Sequence, residues 1–256
     1  AAITHIESEL GVQLFVRHHA QGVSLTAIGH QVLKEAKLIL EQMVNLYTIA
    51  SESMNNVRGP LRVGCLDTLA PMLTPELVFG FGRAFPGVRI TLVEGHHEQL
   101  LKQLRTADID IALTYDLVPA NDIAFTSLAQ LPPYVMVGEH HPLATQSAVT
   151  IQDLATMPMV LLDMPWSREY FLGLFSEAGV TPNVVMRSGN MEVVRAMVAN
   201  GVGFGIANVR PKAHLSQDGK RLIRVRLAGV NRPMQLGYAT VAHTQHSMVV
   251  NAFAER

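Results

Sequence analysis

Four short segments carry side chains suited to holding a small polar molecule, and each falls where a strand is expected to give way to a helix. Cys65-Leu66-Asp67-Thr68 leads into a helix expected near Pro71. Free backbone amides at such a start attract carboxylates and other anions, and the Thr68 hydroxyl adds a donor. Capping of that helix by Asp67 or Thr68 is an equally good use of the same residues. Gly95-His96-His97 stands ahead of a second helix, and His97 is a candidate contact that would carry charge at mildly acidic pH. Asp163-Met164-Pro165-Trp166-Ser167-Arg168 offers the single tryptophan as a flat apolar wall, with Ser167 and Arg168 as donors. A loop tryptophan is as often a plug in the core. In Ser188-Gly189-Asn190, the Asn190 amide either caps the next helix or faces a ligand. Thr114-Tyr115, at the end of a strand, completes the ring. The candidate ligand-binding residues are therefore Asp67, Thr68, His97, Thr114, Met164, Trp166, Ser167 and Asn190.

Catalysis is not expected of these groups. No nucleophile stands in recognisable order with a base and an orienting residue, and no motif surrounds a pair of carboxylates. The eleven histidines include pairs at 18–19, 96–97 and 140–141. Neighbours on a strand point to opposite faces, and no cysteine or carboxylate cluster accompanies them, so no metal is expected. Gly201-Val202-Gly203-Phe204-Gly205 follows a helix and enters a strand, the reverse of the nucleotide-binding order, so no cofactor is expected either. Cys65, the single cysteine, excludes an internal disulfide framework and reads as a buried strand residue suited to a reducing cytoplasm.

The elements that must position the candidates alternate. Leu61–Cys65 is a short apolar strand, Pro71–Phe85 a helix with Leu73, Leu77, Val78 and Phe81 on one face, and Val88–Glu94 a strand. A helix over Glu98–Thr106 and a buried strand over Ile109–Thr114 follow. The second half repeats the theme with strands at Val135–Val137, Pro158–Leu162, Val184–Met186 and Gly203–Ala207, and helices around Tyr170–Ala178 and Met191–Asn200. Alternation of this kind predicts an α/β fold with mainly parallel sheets. Two such lobes in tandem predict a cleft between them, with ligands at the carboxyl ends of the strands.

The first sixty residues differ in kind. A helix runs to Gly11, where a left-handed turn is expected. A β-rich pair, Leu14–Val16 and Val23–Leu25, flanks a turn at Ala20-Gln21-Gly22, and Thr26 caps a helix expected from about His30 to Val57. On that helix Val32, Ala36, Ile39, Met43, Leu46 and Ala50 step by four and three, the seam of a coiled coil, and Leu33, Leu40, Tyr47 and Met54 widen it. Packing on the chain's own core would produce a similar stripe, but a helix this long has little core to lie against. Gly59-Pro60 is expected to end it.

In order and spacing, Ile6-Glu7-Ser8-Glu9-Leu10-Gly11, Leu14-Phe15, Arg17, and Leu25-Thr26 with Gly29 resemble the head of the LysR-type transcriptional regulators. Leu61-Arg62-Val63-Gly64, Phe85-Pro86-Gly87-Val88, Asp108 to Leu113, His141-Pro142-Leu143-Ala144 and Val198 to Gly203 resemble that family's effector module, which is similar to type 2 periplasmic binding proteins. The resemblance implies a partial winged helix-turn-helix over 1–26, a dimerising linker helix over 27–59, and a bilobal effector domain over 60–256. Lobe I would be 61–130 with 237–256 and lobe II 131–236, with crossings near Ala129–Pro133 and Ala228–Leu236. It also implies that the Thr68 loop lines an effector cleft, and that DNA is met through Thr4, His5 and Arg17. The family usually has small hydroxyl residues where this chain has its two histidines, so no family effector transfers directly.

A net charge of −1 is low for a DNA binder, and the opening in mid-helix suggests that the basic part of the head is missing, so weak operator binding is expected. Apolar residues are 48% of the chain and charged residues 16%, as for a globular protein. The apolar runs are too short to span a bilayer, and no signal peptide opens the chain. The expected function is a cytoplasmic regulator, a homodimer or homotetramer, that switches its geometry on promoter DNA when a small organic acid binds. An amino-acid-like zwitterion is the close alternative as effector, because Asp67 and Asp163 would suit an amino group. A transporter's solute-binding protein would share both lobes but not residues 1–57.

Overall fold

Gly11, with φ +66, ends the first helix as its type requires. The computed structural model describes residues 2–18, 22–51, 57–117, 120–229 and 232–256. Helix α1 (Ala2–Leu10) is joined to the next element by Glu7, whose carboxylate accepts from the Leu14 and Phe15 amides at 2.8 and 3.0 Å. Strands β1 (Phe15–His18) and β2 (Gly22–Leu25) pair antiparallel with Phe15 opposite Leu25, which is the expected hairpin. Ala20 and Gln21 of its turn lie outside the described residues.

Thr26 caps α2 (Ala27–Ser51) by accepting from the Gly29 amide at 2.9 Å, so this helix starts about three residues earlier than expected. On α2, Ile39 is 58% and Met43 53% exposed, and Leu33 and Leu40 are exposed beside them. The rest of the seam, at Leu46, Ala50 and Met54, lies outside what is described of the side chains. Lys37 of α2 reaches the following module, where its ammonium pairs with the Asp108 carboxylate and donates to the Thr106 carbonyl at 3.4 Å.

Gly59 and Pro60 do not end the linker helix. They open β3 (Gly59–Leu66), pairing with Val88 and Arg89 of β4 (Val88–Gly95). Proline is tolerated there because it stands near the start of the strand. With β5 (Ile111–Tyr115), β6 (Ile123–Leu131) and β13 (Met234–Val241) these form one sheet in the order β4-β3-β5-β13-β6. Helix α3 (Ala70–Ala84) meets α8 (Met248–Ala254) through Phe81 and Phe253, ring centroids 5.2 Å apart. Helix α4 (His97–Arg105) packs through Leu100, Leu101 and Leu104 into the core that continues into the second lobe.

The second lobe holds β7 (Tyr134–Gly138), β8 (Ala148–Val149), β11 (Gly205–Ala207) and β12 (Leu222–Leu227) in the order β11-β7-β12-β8. The parallel pair β9 (Pro158–Leu162) and β10 (Asn183–Ser188) is tied to it by a bridge from Met159 to Phe204. Helices α5 (Ile151–Leu154), α6 (Ser167–Glu177) and α7 (Met191–Ala199) complete it.

The expectation of mainly parallel sheets is corrected. Strand β13 runs antiparallel to β5 and β6, and β12 antiparallel to β7. The cause is the double crossing: the chain leaves the first sheet after β6, through Pro132-Pro133, and returns from β12 into β13. Strands that enter a sheet by crossing from another lobe have no helical connection to hold them parallel.

Candidate functional site

Thr68 leaves the end of β3 half-buried, near the Tyr115 phenol at the end of β5. Burial pushes that phenol above its ordinary value, so it stays protonated. Neither Asp67 nor Thr68 caps α3: the cap position is Leu69, with no side-chain hydrogen bond. The first amides of α3 are therefore left to backbone turns, water or a ligand. Asp67 itself is exposed. Cys65, at the same strand end, is fully buried and its thiol is pushed up to about 12 by burial, with Glu94 and Asp67 adding to the effect. It is not a reactive thiolate.

The adjacent histidines divide their roles. His96 caps α4, its Nδ1 accepting from the Gln99 amide at 3.3 Å. His97 turns inward, is 6% exposed, and places Nδ1 2.9 Å from the Thr114 hydroxyl, which is itself buried. Burial holds the His97 imidazole below the ordinary histidine value, against the raising influence of Glu98 and Asp116. Burial thus works against the charged form expected at mildly acidic pH.

In the second lobe the segment 163–168 lies between β9 and α6 as expected. Trp166 is 36% exposed and does not plug the core. Its φ of +67 places it in the left-handed region that non-glycine residues rarely adopt, which marks a backbone over-determined by its surroundings. Met164 and Ser167 are half-buried beside it. Arg168 is already engaged, bonding Asp163 at 3.0 Å and Glu169 at 3.1 Å, while Arg187 approaches the other Asp163 oxygen at 3.6 Å. Asn190 caps α7, accepting from the Glu192 and Val193 amides at 2.8 and 3.4 Å. It lines a groove with Met197 and Gln217, whereas His97 and Thr114 line a partly open pocket of the first lobe. Thr68, Tyr115, His97 and Thr114 thus gather at the strand ends of one lobe, with Met164, Trp166 and Ser167 at a strand end of the other.

Two polar residues that sequence reasoning missed sit between the lobes. Asn208, 4% exposed, donates to the Leu131 carbonyl at 2.8 Å and to the Tyr170 hydroxyl at 3.1 Å. Tyr170 in turn donates to the Arg232 carbonyl at 2.7 Å. The available signal was a polar residue directly after the apolar run Gly205-Ile206-Ala207. In the head, Thr4 and His5 are exposed on α1 and Arg17 lies on β1.

Residues 55–256 match the family model described as the LysR substrate binding domain. The chain belongs to the LysR family. It is 28% identical to the HTH-type transcriptional regulator CysB of Haemophilus influenzae, over 83% of this chain and 66% of that protein, about two thirds of its length. The structure of HinK, a LysR family transcriptional regulator from Pseudomonas aeruginosa, is 33% identical and matches 99% of this chain and 85% of its own, with TM-score 0.75. The C-terminal domain of a probable LysR family regulator from Rhodococcus sp. RHA1 is 31% identical, over 78% of this chain and 98% of that domain, also with TM-score 0.75. These relatives are regulators, in line with the expectation that the chain is no enzyme, and they do not favour a transporter's solute-binding protein. Among the described residues, no helix is long and apolar enough to cross a membrane.

Proposed function

We propose that this chain is a LysR-type regulator that senses a small molecule between its two lobes and reports it, through α2, to a DNA-binding head. The observation that carries this reading is the order of parts in one polypeptide: helix, hairpin wing, long helix, then a bilobal module, all within the match to HinK. Division into a head over 1–26, a linker over 27–59 and an effector domain over 60–256 follows that order. A homodimer or homotetramer in the cytoplasm, meeting promoter DNA through Thr4, His5 and Arg17, is the working state. The exposed apolar stripe of α2 supports association, because such a stripe invites a partner helix.

The effector is a small organic acid. Its carboxylate is held at the uncapped start of α3 with the Thr68 hydroxyl, and its apolar part lies against Met164 and Trp166. The helix start supplies the positive potential. His97 stays neutral and Arg168 is paired with Asp163 and Glu169, so neither is assigned the anion. Ligand shifts the lobes only by its differential affinity for two arrangements. A thermal-shift screen against a panel of metabolites tests the reading. A carboxylate ligand should raise the melting temperature in proportion to its occupancy, and a panel in which only sugars or cations do so would overturn the effector class.

A further inference from the structure

We propose that Lys37 clips the linker helix α2 to the first lobe, so that head, linker and first lobe move as one body and the second lobe is the part that swings. The Lys37 ammonium pairs with one oxygen of the Asp108 carboxylate and donates to the Thr106 carbonyl at 3.4 Å. Both acceptors belong to the turn that closes α4, and the free carbonyls of a helix end favour a cation.

The first lobe builds the receiving turn from its own groups. The other Asp108 oxygen accepts from the Thr106 hydroxyl at 2.5 Å, and the Asp108 amide donates to the Gln103 carbonyl at 2.8 Å. Ala107, between the two acceptors, is buried in the left-handed region with φ +51. A residue with a Cβ stays there only where its surroundings over-determine it. Arg62 does so, donating to the Ala107 carbonyl at 2.7 Å while it pairs with Asp110.

The clip matters because packing does not replace it. Among the described residues, no apolar side chain of α2 enters either hydrophobic core of the lobes. The chain joins the first lobe again at Val57, which packs on the core around Phe81. Lys37 stands roughly 20 Å of helix before the end of α2 at Ser51. Two attachments so far apart fix the direction of a helix as well as its end. At the start of α2 the Thr26 hydroxyl donates to the Gln13 carbonyl at 2.8 Å, which seats the head on the helix. No hydrogen bond or ion pair joins α2 to the second lobe among the described residues. Lys37 and Asp108 are 29% and 47% exposed, and exposed pairs are weak and screened by salt, so the clip is releasable. The inference rests on the reading that α2 carries the signal to the head, and it names the lobe that travels with α2.

The test needs no ligand, so its failure leaves the outcome of a metabolite screen untouched. Spin labels on the full chain at Glu35→Cys of α2 and Glu76→Cys of α3 read the distance from linker to first lobe. A second pair, Glu35→Cys with Gln152→Cys of α5, reads the distance to the second lobe. Buried Cys65, its thiol held protonated, takes no label, and excess unlabelled chain confines the reading to pairs within one chain. The first pair should give one narrow distance distribution, lost in Lys37→Met and at about 1 M salt, where the screening length is roughly 3 Å. The reversed pair, Lys37→Asp with Asp108→Lys, should restore it. Asn208→Ala, which loosens the crossings, should broaden only the second pair. A distribution that stays narrow in Lys37→Met, or that the reversed pair fails to restore, overturns the clip. Broadening of the first pair in Asn208→Ala overturns the claim that the first lobe travels with the linker.

Discussion

Asn208 and Tyr170 are hydrogen-bonded to each other, and between them they hold both points where the chain crosses from lobe to lobe. The Asn208 amide grips the Leu131 carbonyl at the end of β6, and the Tyr170 hydroxyl grips the Arg232 carbonyl ahead of β13. Both side chains belong to the second lobe, so any change in lobe angle is felt at this pair. Arg232 adds a bond to Glu177 of α6 at 2.6 Å and lies over the Tyr170 ring.

Asn208→Ala should lower stability by about 1–3 kcal/mol, because it strips buried polar groups of their partner. Tyr170→Phe should cost about 1 kcal/mol on the same basis. The two residues share one network, so the double variant should lose less than the sum. Urea denaturation of the four proteins measures this, and strict additivity would show that the pair does not act as one latch.

Much of this framework was legible because it obeys local rules. Gly11 and Thr26 punctuate the head as their types demand, and the strand-to-helix order from 61 to 207 follows hydrophobic periodicity. What escaped was non-local or irregular. Strand β13 is interrupted by Gly237, which breaks the strand pattern, yet a Cβ there would stand 2.0 Å from the Thr126 carbonyl. Strand β6 alternates weakly, with Thr126 and Ser127 within it, and α8 is only seven residues long. The sequence singled out His97 as a contact, but no local rule named His96 as the cap of α4. Only the packing of α4 on β5 assigns the cap to one and the interior to the other.

Association should depend on the α2 stripe. Replacing Ile39 and Met43 together with glutamate puts like charges at a helix contact that excludes water, where repulsion is strong. Sedimentation should show smaller species while circular dichroism shows intact lobes. An unchanged oligomer would place the subunit contact on the lobes instead.

Acid should weaken the fold through one buried and two half-buried histidines. His97, His141 and His246 are each held below the ordinary value by burial. As pH falls through about 6.5, the unfolded chain takes up protons that the folded one refuses, so stability present above that pH is lost below it. Asp108 and Asp122 are shifted down as well, and their share is lost only as pH falls below the ordinary carboxylate value. Denaturation midpoints from about pH 7.5 to 5.5 should therefore fall less steeply in His97→Leu than in the parent chain. Equal slopes would show that His97 is as readily protonated folded as unfolded.

The central claim is that a small carboxylate binds between the start of α3 and the Trp166 loop, and calorimetry on the effector found by thermal screening tests it most directly. Thr68→Val keeps the shape and removes the hydroxyl, so the Kd should rise roughly fivefold or more, the equivalent of about 1 kcal/mol. Trp166→Ala removes the apolar wall and should weaken the same ligand, with the fold retained in both variants. A Kd unchanged in both would contradict the account and place the effector outside this cleft.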